Sequence, residues 1–592
     1  MTSDRVGRTA AFVLVAGLLV GCSGDDAPEP GSAAGPAEAD STSATPSPPT
    51  PAEQLGLATG WGPTADDLDL AARAVRRMSL PDLAGQVIVA DWSGTAAPVR
   101  LVRSLHLGGV IAFDDNIAST AGIRSVNRTL EREVRRRWPL FLSVDQEGGI
   151  VERVQGEATR FPAFMSAGAA DEVAATRRAA AASGAELRGL GFTVDFAPDA
   201  DVTSGPGDPT IGSRSIGSDP DLVSRHVVAA ATGLSEAGVV PVLKHFPGHG
   251  SVTADSHTTL PVQRRTRQRL DAIDLAPFRA AVDAGVPAVM VAHLDVRAID
   301  PGTPSSLSRR VITGVLRGDL GFDGLVVTDS LEMAGAQPGR DGGARQAVRA
   351  LRAGNDVLLM PPDPAAARQG IISAVRRGAL DRTLLERAAA RQIALLLASE
   401  PDAGRDRRGS PPGSGDPASR ALSAEAITVA AGPCRGPLAE SAVSPSGDDE
   451  AVASFTAAAQ AAGLQVLLPR TPPARLTRAE PRPERAAQRS RWRARERRRT
   501  DQLATWRDRE RARMEQATRI GFAGYGDGPV SGDVAVAVDT PYVLGSSDAP
   551  VRIATYGDTP GAMRALVAVL QGRARAPGRL PVAVPGLPRR GC

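Results

Sequence analysis

The chain has 592 residues, 42% of them hydrophobic, with 47 proline and 62 glycine. That length rules out one ordinary domain and predicts two to four, and the apolar content is that of a folded chain with some linker. Its 69 basic and 66 acidic residues leave a net charge of +3, which by itself names no partner.

Arg5 and Arg8 precede a short apolar run, Ala10 to Val20, that ends in "LVGC" at Leu19 to Cys22. The run is too short to span a bilayer and has the layout of an export signal. It resembles a bacterial lipoprotein signal. Residues 1–22 therefore read as a lipoprotein signal that includes its lipobox cysteine: cleavage is expected before Cys22, with the Cys22 thiol lipidated and the mature protein anchored to the outer face of the cell membrane. Residues 23–63, rich in Pro, Ser, Ala and acids, read as a disordered tether. Two cysteines remain, Cys434 and Cys592. An oxidising compartment would allow them to pair, but spacing cannot show that they meet.

Residues 64–400 contain eight short apolar runs separated by stretches of helical length: "VIVADW" from Val87, "GVIAFD" from Gly109, "LFLSVD" from Leu140, "TVDFAPD" from Thr193, "VPVLKHF" from Val240, "AVMVAHLD" from Ala288, "GLVVTDS" from Gly324 and "DVLLMP" from Asp356. Continuous apolar strands belong to parallel sheets buried on both faces. Eight βα units predict an α/β fold of the (β/α)₈ TIM-barrel type, with a doubly wound sheet as the alternative. In a barrel the working residues lie at the C-terminal strand ends. Several runs end in ionisable groups: Asp145, Lys244 with His245, His293 with Asp295, and Asp329.

"KHFPGHGSVTADSH", Lys244 to His257, holds three of the six histidines and the only lysine of the chain. Pro247, Gly248 and Gly250 break any helix that could present His245, His249 and His257 as a zinc set, and no phosphate-loop pattern is present. Acid/base chemistry fits better. Asp255, two residues before His257, can hold one ring nitrogen while the other faces a substrate. A solvent-exposed loop with an incidental histidine is the competing reading of that spacing.

The longer stretch "KHFPGHGSVTADSHTTLP" resembles the signature of glycoside hydrolase family 3 β-N-acetylglucosaminidases, close to KHFPGHGDTxxDSHxxLP. The likeness continues in family order through "SVDQEGGIVERV" from Ser143, "RFPAFMSAGAA" from Arg160, "FAPDADV" from Phe196, "DPTIGSRSIGSDP" from Asp208, "VMVAHLDV" from Val289 and "GFDGLVVTDSLEM" from Gly321. The resemblance implies a barrel that removes terminal β-linked N-acetylglucosamine with retention, without metal or other cofactor. It makes Asp329 the nucleophile and His257 the acid/base, with Asp255 as its partner. It assigns Asp145, Arg153, Arg214, Lys244 and His245 to sugar binding. The implied partners are GlcNAc-terminated saccharides, muropeptides among them, for a membrane-anchored monomer that binds no nucleic acid. A β-N-acetylglucosaminide phosphorylase and a wall-binding lipoprotein without catalysis are the alternatives. His249 reads as loop architecture, and His293 either lines the pocket or caps its strand. The chain departs from the pattern at Ile150, at Ser251 where Asp is common, and at Asp199 where an apolar residue is usual. Its Gly and Pro are expected to let the loop between Lys244 and His257 move.

Residues 401–419 read as a linker. Residues 420–592 read as a smaller α/β sandwich domain, whose "GRLPVAVP" ending also resembles family 3. Residues 475–519 are helix-prone and rich in arginine. They read either as a solvated helix with internal ion pairs or as a surface for anionic polymers or lipid head groups.

Overall fold

The computed structural model describes residues 48–208, 210–337, 343–400, 409–589 and 591–592. The expected signal, Cys22 and most of the expected tether lie outside them. No described helix is long and apolar enough to cross a membrane.

Eight parallel strands form the first sheet: β1 (Ile88–Ala90), β2 (Gly109–Ala112), β3 (Phe141–Val144), β4 (Val194–Asp195), β5 (Val240–Phe246), β6 (Ala288–Val291), β7 (Leu325–Thr328) and β8 (Leu358–Leu359). Each pairs with its neighbour in chain order. β1 pairs with β8, and a parallel bridge between Val327 and Val357 brings β7 to β8 and closes the barrel. All eight coincide with the apolar runs read from the sequence. Every residue of these strands is buried, which is why the runs are apolar throughout and do not alternate. Helices cover the outside. Val173–Gly189 and Pro220–Glu236 pack closely at Gly233, where any side chain would meet the Arg177 carbonyl at 2.3 Å.

Two boundaries differ from expectation. Order begins before residue 64: Thr50 and Glu53 form a capping box on the short helix Pro51–Gln54, and Leu55, Leu57 and Trp61 are buried in the barrel's core. A few apolar side chains in a Pro-rich stretch suffice to fix it. The end of the expected linker is also folded. The buried Glu186 carboxylate accepts hydrogen bonds from the amides of Gly413 and Gly415, and Ser419, on the helix Asp416–Ala426, donates to the Arg160 carbonyl. Small polar residues here satisfy buried acceptors instead of being solvated.

The second sheet contains β9 (Thr428–Ala431), β10 (Ala442–Gly447), β11 (Gln465–Val466), β12 (Thr518–Ala523), β13 (Val534–Ala537) and β14 (Val551–Ala554), in the order β9-β14-β13-β12-β10-β11. Only β9 runs antiparallel to its neighbour. The helices Asp449–Ala461 and Pro560–Leu570 pack on it through a core that includes Phe455, Phe522, Ile553 and Leu566. Cys434 and Cys592 are joined by a disulfide. Against the barrel, Arg160 forms an ion pair of 2.9 Å with Asp558, and the Ala163 amide donates to the Tyr556 carbonyl.

Candidate active site

At the C-terminal ends of the strands, one cavity of about 190 Å³ is lined by Asp145, Arg153, Arg214, Lys244, His245, His257 and Asp329. Seven of the eight residues expected to act there therefore meet. The eighth, Asp255, stands behind His257 as its partner.

The floor is a buried ionic network. Lys244 lies within β5, and its Nζ is 2.6 Å from Asp145 Oδ1 and 2.6 Å from Glu147 Oε1. Arg214, on the turn Gly212–Arg214, forks onto Glu147 with Nε and Nη2 each at 2.8 Å. Burial alone would raise Glu147. Arg214 and Lys244 overcome this and hold it well below the carboxylate range. For Lys244, burial would lower its affinity for a proton, yet Asp145 and Glu147 hold it above the usual amine range. Such a network is favourable only while each charge keeps its partner.

His245 extends the network. Its Nδ1 is 2.7 Å from Asp201 Oδ2, and its Nε2 is 3.2 Å from Arg214 Nη2. With Asp201 accepting and the guanidinium donating, Nδ1 carries the hydrogen and Nε2 accepts. Burial would raise Asp201, but the rings of His245 and His249 and the His249 amide pull it below its ordinary value. Burial and the neighbouring Asp201 push Asp199 well up. Asp199, Asp201 and His245 bring donor atoms within 4.8 Å of one another. Arg214 Nη2, 3.6 Å from Asp199 Oδ2, already supplies a fixed positive charge there, so the donor set suits an ion-pair network better than a cation site.

Asp329 follows β7. Its Oδ1 accepts from the Ser330 amide at 2.8 Å, and its Oδ2 has no protein partner among the described residues. Burial would raise this carboxyl. The rings of His293 and His245 and the Ser330 amide outweigh that effect and keep it below its usual value, the ionised form a nucleophile needs. His293 is itself pushed down by burial. Its Nε2 donates to the Ser330 carbonyl at 2.8 Å and its Nδ1 accepts from Ser306 at 2.6 Å. It positions the turn that carries Asp329 and does not line the cavity.

His257 rests on the loop after β5. Its Nδ1 is 2.7 Å from Asp255 Oδ1, and Nε2 has no partner among the described residues. Burial would raise Asp255, but the His257 amide and ring lower it. The loop expected to move is tied at several points in the structure. His249 donates its amide to Asp201 at 2.5 Å and its Nε2 meets Ser256 Oγ at 3.0 Å. Burial pushes this ring down to about 4. Ser251 donates to Asp274 at 2.7 Å, where an aspartate would set one carboxylate against another. From the β7 loop, the amides of Ala334 and Gly335 donate to the carbonyls of His257 and Ser256. Any side chain at Gly335 would meet the Ser256 and Thr259 carbonyls at 2.8 Å. The same short segment therefore carries Asp329 and steadies His257.

Arg153 lies at the rim, 3.3 Å from Asp114 and over the Phe113 ring. Glu147 and Asp201 escaped sequence reasoning. Glu147 stands two residues past Asp145 in a hairpin whose direction no local pattern predicts, and Asp201 is 44 residues from the ring it holds.

Residues 80–395 match the N-terminal domain of glycosyl hydrolase family 3. The chain belongs to that family. Among its family 3 relatives, beta-hexosaminidase LpqI of Mycobacterium tuberculosis is 33% identical over 412 residues, which is 67% of this chain and 99% of that one. Beta-hexosaminidase A of Pseudoalteromonas piscicida is 36% identical over 282 residues, and there the chain spans 47% of the relative's length. A family 3 beta-N-acetylglucosaminidase from Paenibacillus sp. str. FPU-7 has a similar structure, with a TM-score of 0.70 and 28% identity over 86% of this chain and 99% of that one.

Proposed function

We propose that the protein is an exo-acting, retaining β-N-acetylglucosaminidase for GlcNAc-terminated saccharides. One observation carries this reading: an ionised Asp329 and His257, backed by Asp255, share one cavity, bridged by the Ala334–His257 backbone bond, above a floor of charged hydrogen-bonding groups. The names of the relatives support it. Asp329 Oδ2 attacks the anomeric carbon as the bond to the leaving oxygen breaks. His257 gives the proton on Nε2 to that oxygen, while Asp255 accepts the hydrogen on Nδ1 and stabilises the imidazolium present before the transfer. The neutral imidazole then takes a proton from water, which displaces Asp329 and restores the configuration. Asp145 and Lys244 hold sugar hydroxyls in this scheme.

The test is release of 4-nitrophenol from its β-N-acetylglucosaminide, with NMR of the first anomer formed. No release, or an α-anomer first, overturns the proposal. Asp329→Ala should lose about 10⁴-fold or more in kcat. A neutral base in place of a carboxylate also tolerates an anionic acceptor, so the assay is repeated with phosphate. Formation of a sugar 1-phosphate faster than free sugar would make the enzyme a phosphorylase.

The motif Leu19 to Cys22 supports export and lipid anchoring, which would bring muropeptides within reach. Cys22→Ala should release the protein from the membrane fraction, and retention there would exclude the anchor.

A further inference from the structure

Between β11 and β12 the chain leaves the second sheet, and residues 467–517 form a projection. Its main element is the 29-residue helix Ala486–Met514, which has no buried residue. An extended arm lies alongside and is tied to the helix at both ends. Arg513 donates to the Leu468 carbonyl and the Arg470 amide to Glu510, while Trp492 Nε1 donates to the Glu480 carbonyl and Arg495 to the Glu480 carboxylate. Between them lies a cleft of about 820 Å³. Arg475 and Arg478 line it from the arm and Arg495, Arg498, Arg499 and Arg509 from the helix, six guanidiniums against the two carboxylates of Glu480 and Glu496; Arg499 also donates across it to the Leu476 carbonyl.

The helix contains eleven arginines against four acidic residues, whereas the whole chain carries only +3. The projection is thus strongly basic on an otherwise acidic protein. Internal pairing does not account for it. Carboxylates pair with Arg495, Arg499, Arg511 and Arg513; among the described residues none pairs with Arg491, Arg493, Arg497, Arg498, Arg507 or Arg509. Nor does the helix have a face to insert into lipid. Trp492, Leu503 and Trp506 are half-buried while the exposed positions are charged or polar or carry alanine, whereas an interfacial helix needs an exposed apolar face.

We propose that this cleft binds a linear phosphodiester polymer. Arg495 and Arg509 lie fourteen residues apart, about 21 Å at helical rise, so the guanidiniums form a row that one small anion could not occupy. Forks project from both walls. A phosphodiester repeat presents one fixed negative charge per unit, each able to accept from a planar fork, and so matches a row of guanidiniums along its length. Docking would concentrate the protein on such a polymer and leave the chemistry of the barrel untouched.

The full chain is titrated against fluorescein-labelled poly(glycerol phosphate) and a single-stranded oligonucleotide of equal charge, followed by anisotropy at several salt concentrations. Binding should weaken steeply with salt. The triple change Arg495→Gln, Arg498→Gln and Arg509→Gln should weaken it about tenfold or more and flatten the salt slope, with aryl-glycosidase activity unchanged. Arg475→Gln with Arg478→Gln, on the opposite wall, should act alike even if the triple variant misfolds. Binding of both polymers identifies the backbone phosphate as what is read; preference for poly(glycerol phosphate) identifies a base-free polymer. Unchanged binding by the variants, equal affinity for poly-L-glutamate of the same length, or binding to anionic vesicles but to neither polymer overturns the proposal.

Discussion

Lys244 and His257 belong to one short motif yet occupy opposite physical settings. The Lys244 side chain is 3% exposed, and its ammonium lies against two carboxylates. The His257 side chain is 65% exposed, and its ring has one partner among the described residues. The floor, which holds the sugar in the proposed reaction, consists of charges stabilised by one another, so burial with fixed partners suits it. An acid/base group must exchange its proton with a leaving group and then with water, so it needs access and a single orienting contact. Proximity in sequence therefore conceals a division between a floor built for permanence and a loop built for exchange.

The sharpest way to break that division is to remove one charge from the floor. Arg214→Met leaves Glu147 with Lys244 alone and takes the donor from His245 Nε2. The expected cost is about 3–5 kcal/mol of stability together with loss of turnover, read from urea unfolding and the aryl-glycoside assay. Arg214→Lys should recover charge but not the fork, and so only part of both. If Arg214→Met unfolds like the parent, the floor's charges do not depend on one another.

The loop should behave in the opposite way. His257→Ala is expected to lower kcat by about 10² to 10⁴ on substrates with poor leaving groups, and less on aryl glycosides whose departure needs no proton. Its stability should change by about 0.5 kcal/mol at most, as for other exposed positions. A large loss of stability would show that the loop is structural.

His249 joins the two regions, and its ring makes the join sensitive to pH. Burial holds it at about 4 in the folded protein, against about 6.5 unfolded. Between those values the unfolded chain binds a proton that the folded one does not, so this group lowers stability as pH falls from about 6.5 to about 4. The full effect is about 3 kcal/mol. Relative to the parent, His249→Gln should flatten the stability curve across that window and nowhere else. Parallel curves would mean that the ring is charged or solvated in the folded state.

How far these features could be read in advance depends on their range. The eight strands were legible because burial on both faces writes a continuous apolar run into each. Lys244 stood out because arginine fills every other basic position, and Asp255 lies close enough to His257 for local spacing to suggest the pair. Glu147 with Arg214, and Asp201 with His245, are contacts across strand ends, and nothing local encodes them. Asp199 was visible as a departure, but not as a carboxylate buried beside Asp201. The stretches 50–63 and 409–419 were misread because composition reports average solvation, while a capping box or one buried carboxylate can fix a polar segment.

The weakest link expected to matter runs between domains. Ser213, next to Arg214, donates its hydroxyl to Asp539 on the loop after β13, so the second domain braces the turn that carries the floor's guanidinium. Asp539 is buried, and burial raises its carboxyl against the pull of Ser213. Asp539→Ala should remove that brace at about 1 kcal/mol, a several-fold effect. Because Arg214 belongs to the floor and not to proton transfer, the loss should fall mainly on KM, and the acid limb of the pH–rate profile should not move. Ser213→Ala should match it, and the double variant should add little to either. A shift in the pH profile, or additive losses, would mean that Asp539 acts by a route other than the Ser213 brace.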